Sequence, residues 1–437
     1  MNIPCTSFGL LDPHEPLAGF ALLMRKALEG NDLGSLAQQL IDRMSRDPTD
    51  ANAMLDLSTI LQLRFQPELG LAAQGQALQM RQLYRLGRPA DLAKIRLLAI
   101  MAPGDMMTNT PLDCLLEGAD ITLYMLYVIP GLALPDLLPQ HDVVMIAVGE
   151  PDRNHEVLQQ IMSFVKHTSR PVLNAPERAL LLTRDGACQL LGNAPGVVMP
   201  VTTRVKRDTL HRIAESSLAI ANVLVDGAFP LIVRPVGSHA GRALAKIDRA
   251  SDITDYLQGA IETDFYISRF VDYRGPDDLY RKYRIVLIDG VPYACHMGIS
   301  QHWMIHYLNA GMANSTEKRA EEELFMATFD NDFAIRHRQA FTTIYEKMGL
   351  SYLGIDCAET RSGKLLIFEV DTGMIVHAMD SVDVFPYKLP QMRKVFRAFY
   401  AMLTKAAEQV SHSPACLPWS KWHQSPCDCP VPGSPDT

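Results

Sequence analysis

Three carboxylates stand near the end of the sequence, on two segments that read as the strands of one hairpin. The segments are YLGIDCAET (352–360) and LLIFEVDTG (365–373). A two-residue turn at Ser362-Gly363, where glycine suits a positive-φ position, places Asp356 directly opposite Glu369. Asp371 falls on the same face as Glu369, because side chains alternate along a strand. The spacing therefore predicts that three carboxylates converge on one face of the hairpin.

Such a cluster needs a partner of opposite charge. Like charges directly opposite each other destabilise a strand pair, and unpaired buried carboxylates cost far more free energy. Oxygen ligands suit Mg²⁺ (or Mn²⁺), which typically takes one or two carboxylates together with phosphate oxygens and water. We therefore predict a metal site at Asp356, Glu369 and Asp371. Two alternatives stay open: a solvated hairpin face, and carboxylates that pair with Arg side chains.

A glycine-containing loop lies between two other strand-like segments, FPLIVRPV (229–236) and RALAKI (242–247). Gly237 and Gly241 allow the loop backbone to approach a ligand closely, and the backbone N–H groups of such a loop, that of Ser238 included, can cradle phosphate. Arg234 precedes the loop and Lys246 follows it, so both can meet phosphate charge. Taken alone the loop is weak evidence, since an ordinary hairpin has the same pattern.

A further cationic segment, RKYRIVLIDG (281–290), places Arg284 at the start of an alternating strand. An Arg that points into a cleft suits a developing oxyanion or an acyl phosphate, although a surface ion pair is the alternative. The aromatic and polar run GISQHWMIHYLNAG (298–311) follows. It either lines a pocket for an acceptor substrate or covers the core.

Composition limits the classes of protein that fit. The chain has 437 residues, 48% hydrophobic and 21% charged, which suggests about three globular modules. The net charge of -8 disfavours a nucleic-acid binder. The eight scattered Cys residues suit reduced thiols in the cytoplasm. No signal peptide stands out, and the longest apolar stretch, 121–135, is too short and too broken by Pro130-Gly131 to span a membrane.

The N-terminal region, residues 1–92, is predicted to be a helical module. One helix follows Asp50 or Thr49 as its N-cap, and a later helix carries residues 77–84. Residues 31–64 resemble one tetratricopeptide unit, whereas stable arrays usually need three or more. The module either packs on the rest of the chain or on a second copy, or forms a groove for a peptide or protein partner.

The rest of the chain predicts α/β and α+β architecture. Residues 93–200 alternate strands and helices, as in a small parallel sheet. Residues 201–408 contain hairpins and crossed strands, with helices at 207–223 and 318–349, as in an α+β domain. Residues 409–437 are rich in Pro, Ser and Cys and predict a disordered tail.

The order of these motifs resembles the ATP-grasp superfamily of carboxylate–amine ligases, in particular the branch with ribosomal-protein glutamate ligase, glutathione synthetase and D-alanine–D-alanine ligase. The resemblance spans residues 95–405 and implies a pre-ATP-grasp domain followed by two α+β subdomains. It implies that YISRFVDY (266–273) is the adenine hinge, with the backbone of Arg269, Phe270 and Val271 against the base. It matches Arg284 to the catalytic Arg of the family, and Asp356, Glu369 and Asp371 to its metal motif.

Three departures from the family pattern stand out. Arg234 replaces the usual Lys, and Asp371 replaces the Asn of the metal motif. Gly186 stands where a nucleotide-contacting Lys is expected, and the neighbouring Arg184 is a possible substitute.

The resemblance implies an ATP- and Mg²⁺-dependent ligase that joins a carboxylate to an amine, small molecules or a peptide, and releases ADP and phosphate. Two alternatives stay open: a phosphotransferase of the same superfamily, and a nucleotide-binding scaffold with reduced or no catalysis. These differ in whether an amine is needed and in whether ATP is consumed.

Overall fold

We describe the protein from a computed structural model that covers residues 14–135, 137–149, 151–238 and 241–409. The predicted tail, apart from its first residue, lies outside the described residues. The helices are α1 (Gly19–Leu28), α2 (Leu33–Arg46), α3 (Ala51–Leu63), α4 (Pro67–Met80), α5 (Leu112–Leu115), α6 (Pro151–Val165), α7 (Pro176–Ala179), α8 (Arg184–Leu191), α9 (Arg207–Ala214), α10 (Asp252–Gly259), α11 (Thr316–Thr328), α12 (Phe333–Arg336), α13 (Arg338–Met348) and α14 (Lys388–Glu408).

Fourteen strands form three sheets in this part of the chain. They are β1 (Leu83–Gly87), β2 (Ile95–Met101), β3 (Ile121–Tyr127), β4 (Val143–Ile146), β5 (Val172–Leu173), β6 (Val197–Val198), β7 (Thr202–Lys206), β8 (Leu231–Pro235), β9 (Ala245–Ile247), β10 (Asp264–Arg269), β11 (Tyr280–Ile288), β12 (Val291–Ser300), β13 (Tyr352–Glu359) and β14 (Leu365–Asp371). A helical N-terminal module, a small mostly parallel sheet and two further sheets with helices confirm the predicted fold class.

Two of the N-terminal helices, α2 and α3, begin at capping carboxylates. Asp32 accepts a hydrogen bond from the N–H of Gly34 at the start of α2, and Asp50 accepts one from Ala53 at the start of α3. These side chains satisfy backbone donors that the first turn of a helix leaves unpaired. The prediction that Asp50 caps a helix is confirmed, whereas the tetratricopeptide resemblance of α2 and α3 stays a prediction.

The first sheet has the strand order β1-β3-β2-β4-β5, and all its pairs are parallel except β1 with β3. The prediction that residues 77–84 form one helix is wrong, because α4 ends at Met80 and β1 begins at Leu83. Tyr84 is buried, donates a hydrogen bond of 2.8 Å to the carbonyl of Ala77 and packs edge-on against Tyr127 of β3. Pairing with the free edge of β3 therefore overrides the local helical spacing.

The second sheet is antiparallel, with the order β7-β10-β8-β9. The predicted helix at 207–223 is shorter in the structure, because α9 ends at Ala214 and Ser216 adopts a positive φ of 58°. Strand β7, which precedes α9, was not predicted. Its burial pattern has only Val205 facing the core, so its sequence carries little apolar alternation.

The third sheet has the order β12-β11-β13-β14-β6 and holds the predicted carboxylate hairpin. The single helix predicted at 318–349 is three helices, α11, α12 and α13. The first break lies at Asp330-Asn331-Asp332, whose side chains compete with helical hydrogen bonds. At that break the ring of Phe333 packs on Phe329 and on Tyr283 of β11. The break therefore places an aromatic side chain in the core next to the sheet.

The register of the hairpin is the predicted one at the carboxylates, but not at the turn. Asp356 pairs with Glu369, and Gly354 pairs with Asp371. The turn has three residues instead of two, because Thr360 donates its N–H to the carbonyl of Lys364 at 2.9 Å. A β-bulge after Asp356 leaves Phe368 without a partner on β13. The longer turn shifts the register of the two strands by one residue, and the bulge shifts it back by one. Asp356 and Glu369 therefore lie opposite each other as predicted.

No helix among the described residues is long and apolar enough to cross a membrane.

Candidate active site

A cavity of about 620 Å³ lies beside the third sheet, and ten of the thirteen residues predicted for the site line it. These ten are Arg184, Arg234, Gly241, Arg269, Phe270, Val271, Arg284, Asp356, Glu369 and Asp371. Gly237 and Ser238 line a smaller adjoining pocket that shares Arg184, Glu369 and Asp371 with the large cavity. Lys246 lines neither of these two, so the structure gathers all but one of the predicted residues around one region.

Asp356 is held between two cations at the floor of the cavity. Arg284, opposite it on β11, donates to its two oxygens at 2.8 and 3.0 Å, and the Nζ of Lys282 lies 2.6 Å from Oδ2. Burial alone would raise the pKa of Asp356, but these two cations hold it well below its usual range. The pKa of Arg284 lies above its ordinary value, because the attraction of Asp356 outweighs the opposing effect of burial. Both groups therefore stay charged at neutral pH.

Glu369 has a cationic partner of its own. Arg184, the first residue of α8, donates from Nη2 to Oε1 of Glu369 at 2.5 Å and from Nη1 to the carbonyl of Phe368 at 3.1 Å. Burial would raise the pKa of Glu369, but Arg184 and Arg234 outweigh it and lower the pKa. The alternative of carboxylates paired with Arg side chains is therefore what the structure has at Glu369 and at Asp356.

Asp371 ends β14 on the same edge of the site. It is buried, with 8% of its surface exposed, and Oδ1 accepts a hydrogen bond from the N–H of Gly373 at 3.1 Å. Its position opposite Gly354 leaves room beside the strand for Met374, whose sulfur would stand 2.8 Å from a Cβ at residue 354. The absence of a side chain at Gly354 therefore lets the loop after β14 fold back over the hairpin.

The oxygen atoms of these three carboxylates suit a divalent cation by their chemistry. In the part of the chain that the structure describes, however, no three His, Cys, Asp or Glu side chains form a ready metal cluster. Asp356 and Glu369 bind basic side chains, and a metal ion would have to replace some of those contacts. The metal site at Asp356, Glu369 and Asp371 stays a prediction.

The cations around the carboxylates outnumber them. Arg184, Arg234, Lys282 and Arg284 surround three carboxylates, so this part of the cavity carries a net positive charge. Burial and the nearby Arg184 lower the pKa of Arg234 to about 9, which still leaves it mostly protonated at neutral pH. A surplus of positive charge in a partly buried cleft attracts anionic ligands such as polyphosphates.

Arg234 also shapes the predicted phosphate loop. It is buried on β8, and its guanidinium donates to the hydroxyl of Ser238 at 3.2 Å and to the carbonyl of the same residue. Gly237 adopts a positive φ of 71°, which glycine accepts without strain. The carbonyl of Gly237 accepts a hydrogen bond of 3.1 Å from Arg153 on α6. The start of the loop is therefore tied both to its own strand and to the first sheet's domain.

Lys246 contacts the predicted adenine hinge at the ring of Phe270. The Nζ of Lys246 lies 5.1 Å from the ring centroid of Phe270, within the range of a cation–π interaction. Lys246 also pairs with Asp248 at 2.7 Å. The N–H of Phe270 donates to the carbonyl of Pro230 at 2.9 Å, which fixes the end of β10 beside β8. Lys246 thus contacts a residue of the cavity wall without lining it.

The capping of α8 explains why residue 186 is a glycine and not a lysine. Thr183 caps α8 by accepting a hydrogen bond of 3.0 Å from the N–H of Gly186. A Cβ at residue 186 would stand 2.7 Å from the hydroxyl oxygen of Thr183 and 2.9 Å from the carbonyl of Leu181. A lysine at this position would therefore disturb the cap, whereas Arg184 reaches the cavity from the same turn. A role for Arg184 in nucleotide binding stays a prediction.

Three histidines line the cavity and add little to its charge. Burial lowers the pKa of His296 well below its ordinary value, helped by Arg284 and Lys388. Burial also lowers the pKa of His306 and of His377. All three imidazoles are therefore neutral at neutral pH, and the positive charge of the cavity comes from Arg and Lys.

Some functional groups of the site were not predicted from the sequence. Lys282 was noted only as a neighbour of Arg284, yet it binds the same carboxylate. Tyr266 lines both cavities and donates to Asp152 on α6 at 2.6 Å. Met24 and Leu28 of α1 also line the large cavity, although the N-terminal helices had been assigned no part in it. The alternation of β11 gave a signal for Lys282, which lies two residues from Arg284 on the same face.

A second buried ionic group lies under the aromatic run that follows β12. Glu322 of α11 is fully buried and accepts hydrogen bonds from the N–H of Met297 at 2.9 Å and from the hydroxyls of Tyr307 and Tyr387 at 3.0 and 2.7 Å. The Nζ of Lys388, at the start of α14, lies 3.7 Å from the same carboxylate. This group holds Tyr307 in the cavity wall, where its ring stacks on that of His296.

Comparison with known proteins gives structural likeness at low sequence identity. No family profile and no curated protein matches the chain. The D-Ala:D-Ser ligase VanG from Enterococcus faecalis is similar over 72% of this chain and 99% of its own, with 13% identity and a TM-score of 0.45. The D-alanine–D-alanine ligase from Bacillus anthracis, solved with ATP, covers 72% of this chain and 98% of its own, with 12% identity and a TM-score of 0.44.

A RimK domain ATP-grasp protein from Sphaerobacter thermophilus is similar over 70% of this chain and 99% of its own, with 14% identity and a TM-score of 0.38. All three TM-scores lie below 0.5 and therefore give a likeness only.

Proposed function

We propose that the protein is an ATP- and Mg²⁺-dependent ligase that joins a carboxylate to an amine through an acyl phosphate and releases ADP and phosphate. One observation carries the proposal. A bound arginine–carboxylate pair, Arg284 with Asp356, lies in a net positive cavity that also contains Glu369, Asp371 and the hinge residues of the motif resemblance. The resemblance of the sequence motifs suggests the type of reaction. The cavity supports it, because residues from these separate motifs line the same cavity.

Anion binding is the first task that the geometry supports. Arg184, Arg234, Lys282 and Arg284 reach the same cavity from three different elements, α8, β8 and β11. A triphosphate that entered would offer Arg184 and Arg234 new partners, while Glu369 would be released toward a divalent cation. Mg²⁺ bound by Asp356, Glu369 and Asp371 would neutralise charge on the phosphate oxygens.

The chemistry then needs little from the chain beyond position and charge. A carboxylate oxygen of the acid attacks the γ-phosphorus, the bond to the β-phosphate oxygen breaks, and ADP leaves. The amine attacks the carbonyl carbon of the acyl phosphate, the bond to phosphate breaks, and the nitrogen loses a proton to water or to a neutral imidazole of the cavity. Arg284 stabilises the oxyanion that forms between these events. Its raised pKa keeps it cationic throughout the neutral range.

Hydroxylamine tests the intermediate. Purified protein would be incubated with Mg-ATP, a panel of carboxylic acids and hydroxylamine, and hydroxamates would be identified by mass spectrometry. A ligase gives a hydroxamate with its own acid and an amide with its own amine. Failure to form either product with any acid that stimulates ADP release would contradict the proposal.

A nucleotide-binding scaffold is the second candidate, because Asp356 and Glu369 bind basic side chains in the structure. If those ion pairs persist when ATP binds, neither Asp356 nor Glu369 is free for a metal ion. A scaffold of this kind should bind ATP with the same affinity in the presence and absence of Mg²⁺, and it should release no ADP.

A further inference from the structure

Methionine side chains are concentrated in the lining of the large cavity. Seven of the 21 methionines in the chain line it. They are Met24, Met107, Met199, Met304, Met374, Met379 and Met392. Methionine side chains are apolar, unbranched and adaptable, and they recur on surfaces that bind hydrophobic ligands of varied shape. This concentration points to a ligand with an apolar group, in addition to the charged groups that the Arg, Lys and carboxylate side chains of the cavity would bind.

Exposed apolar side chains extend this wall. Leu28 is 54% exposed, Leu308 is 84% exposed and Met304 is 37% exposed, yet all three line the cavity. Single exposed leucines are common on protein surfaces. Their convergence with the methionines on one cavity is the kind of apolar patch that marks a binding site.

Helix α1 is fixed in place, so its contribution to the wall is a built feature. Asp56 of α3 accepts hydrogen bonds from the N–H groups of Ala18 and Gly19, at 2.8 and 3.0 Å. Asp113 of α5 accepts one from Ala21 at 2.7 Å. These bonds satisfy backbone donors at the start of α1. The two carboxylates therefore tie the start of α1 to α3 and to α5, and Met24 and Leu28 of the same helix line the cavity.

The apolar wall adjoins the charged groups. Met374 is buried and packs over Gly354 of the carboxylate hairpin. The next residue, Ile375, accepts a hydrogen bond of 3.3 Å at its carbonyl from Nη1 of Arg284. Arg284 therefore contacts the residue that follows one of the cavity's methionines.

We propose that the cavity binds a carboxylic acid with a hydrophobic body, whose carboxylate meets Arg284 and Lys282 and whose apolar part packs against Met24, Leu28 and the neighbouring methionines. This inference deepens the proposed function, because it names the class of acid that the proposed ligase would activate. Binding of the acid does not depend on turnover, so the two proposals can fail separately.

Titration calorimetry with straight-chain carboxylates from butanoate to decanoate tests the proposal on the full-length protein without ATP. We expect Kd to fall roughly fourfold for each added methylene, the value for transfer of one CH₂ from water, until the wall is covered. Straight-chain amines of the same lengths should bind at least about tenfold more weakly, because the cavity is cationic.

Two variants locate the apolar part. In Met24→Gln/Leu28→Gln the gain per methylene should drop to less than about twofold, while Kd for butanoate changes little, because a short chain buries little apolar surface. Leu22→Gln is the matched control, because Leu22 lies on the same helix, is 46% exposed and is not among the residues that line the cavity. It should keep the wild-type dependence on chain length.

Three results would overturn the inference: no dependence on chain length in the wild type, the full dependence in Met24→Gln/Leu28→Gln, or amines that bind as tightly as the acids. A separate assay of ADP release with the acids that bind reports on the proposed function. Chain-length-dependent binding without any ADP release would contradict the ligase and leave the hydrophobic acid site in place.

Discussion

Arg284 and Asp356 lie opposite each other on adjacent antiparallel strands and are joined by two hydrogen bonds, from Nε to Oδ1 at 2.8 Å and from Nη2 to Oδ2 at 3.0 Å. Such a fork-to-carboxylate contact fixes the guanidinium plane as well as its charge. Lys282 binds the same carboxylate. The pair therefore holds a cation at a set position in the cavity before any ligand arrives, which is the preorganisation that electrostatic catalysis needs.

The first prediction concerns Arg284. Arg284→Ala should lower the rate of ADP release by about 10²- to 10³-fold, the usual cost of removing an oxyanion donor, while ATP binding changes little. Arg281→Ala is the matched control on the same strand, because Arg281 pairs with Asp277 and Glu321 and is not among the cavity-lining residues. Steady-state kinetics and nucleotide titrations measure the two effects. An unchanged kcat in Arg284→Ala would remove this residue from the mechanism.

The second prediction concerns the competition between Arg184 and a metal ion for Glu369. In Arg184→Gln the carboxylate of Glu369 loses its partner, so Mn²⁺ should bind about three- to tenfold more tightly, while ATP alone binds more weakly. Glu369→Gln should weaken Mn²⁺ binding. Electron paramagnetic resonance of free Mn²⁺ measures both. Arg212→Gln removes the same charge from an exposed position on α9 and should change neither. Equal Mn²⁺ affinity in all four proteins would argue against a metal site at Glu369.

The third prediction concerns Asp56, the anchor of α1. Burial raises the pKa of Asp56 to about 6. A carboxyl whose folded-state pKa is raised contributes stability that is present below its unfolded pKa, about 3.9, and is lost as the pH rises through about 6. Wild-type protein should therefore lose on the order of 2 kcal/mol of unfolding free energy relative to Asp56→Asn between pH 4 and pH 7. Urea unfolding at both pH values measures the difference, and a constant difference would contradict the assignment.

The fourth prediction concerns the buried pair of Lys388 and Glu322. Lys388→Met should destabilise the protein by about 3 kcal/mol, because it leaves a fully buried carboxylate without its cation. Adding Glu322→Gln to that variant should recover part of the loss, since the uncompensated charge is then gone. Urea unfolding of the two single variants and the double variant forms the cycle. Strictly additive effects would show that the two side chains do not interact.

The carboxylate hairpin shows how far sequence reasoning could reach. Alternation along a strand and a turn at glycine were enough to oppose Asp356 and Glu369. The turn was wrong by one residue and the β-bulge at Phe368 was not foreseen, and these two differences cancel at the site. Bulges depend on the packing of a whole sheet, so a pattern within one strand does not reveal them.

The ion pairs and the apolar wall of the cavity could not be predicted from the sequence, because they join segments that are far apart in the chain. Arg184 reaches Glu369 across 185 residues of sequence, and α1 enters the cavity from the N-terminal module. Local periodicity predicts that α1 is a helix, but not which surface it meets. The same limit applies to β1, where the edge of a distant strand decided between helix and strand.

Release of ADP and phosphate from Mg-ATP tests the central claim most directly. Wild-type protein and Asp356→Ala/Glu369→Ala would be compared with ATP alone, with each acid of the panel, with each amine, and with acid and amine together. We predict release that needs both an acid and an amine and falls by at least about 10²-fold in the double variant. ATP binding without stimulated release under any pair, or equal release by the double variant, would contradict a ligase at this site.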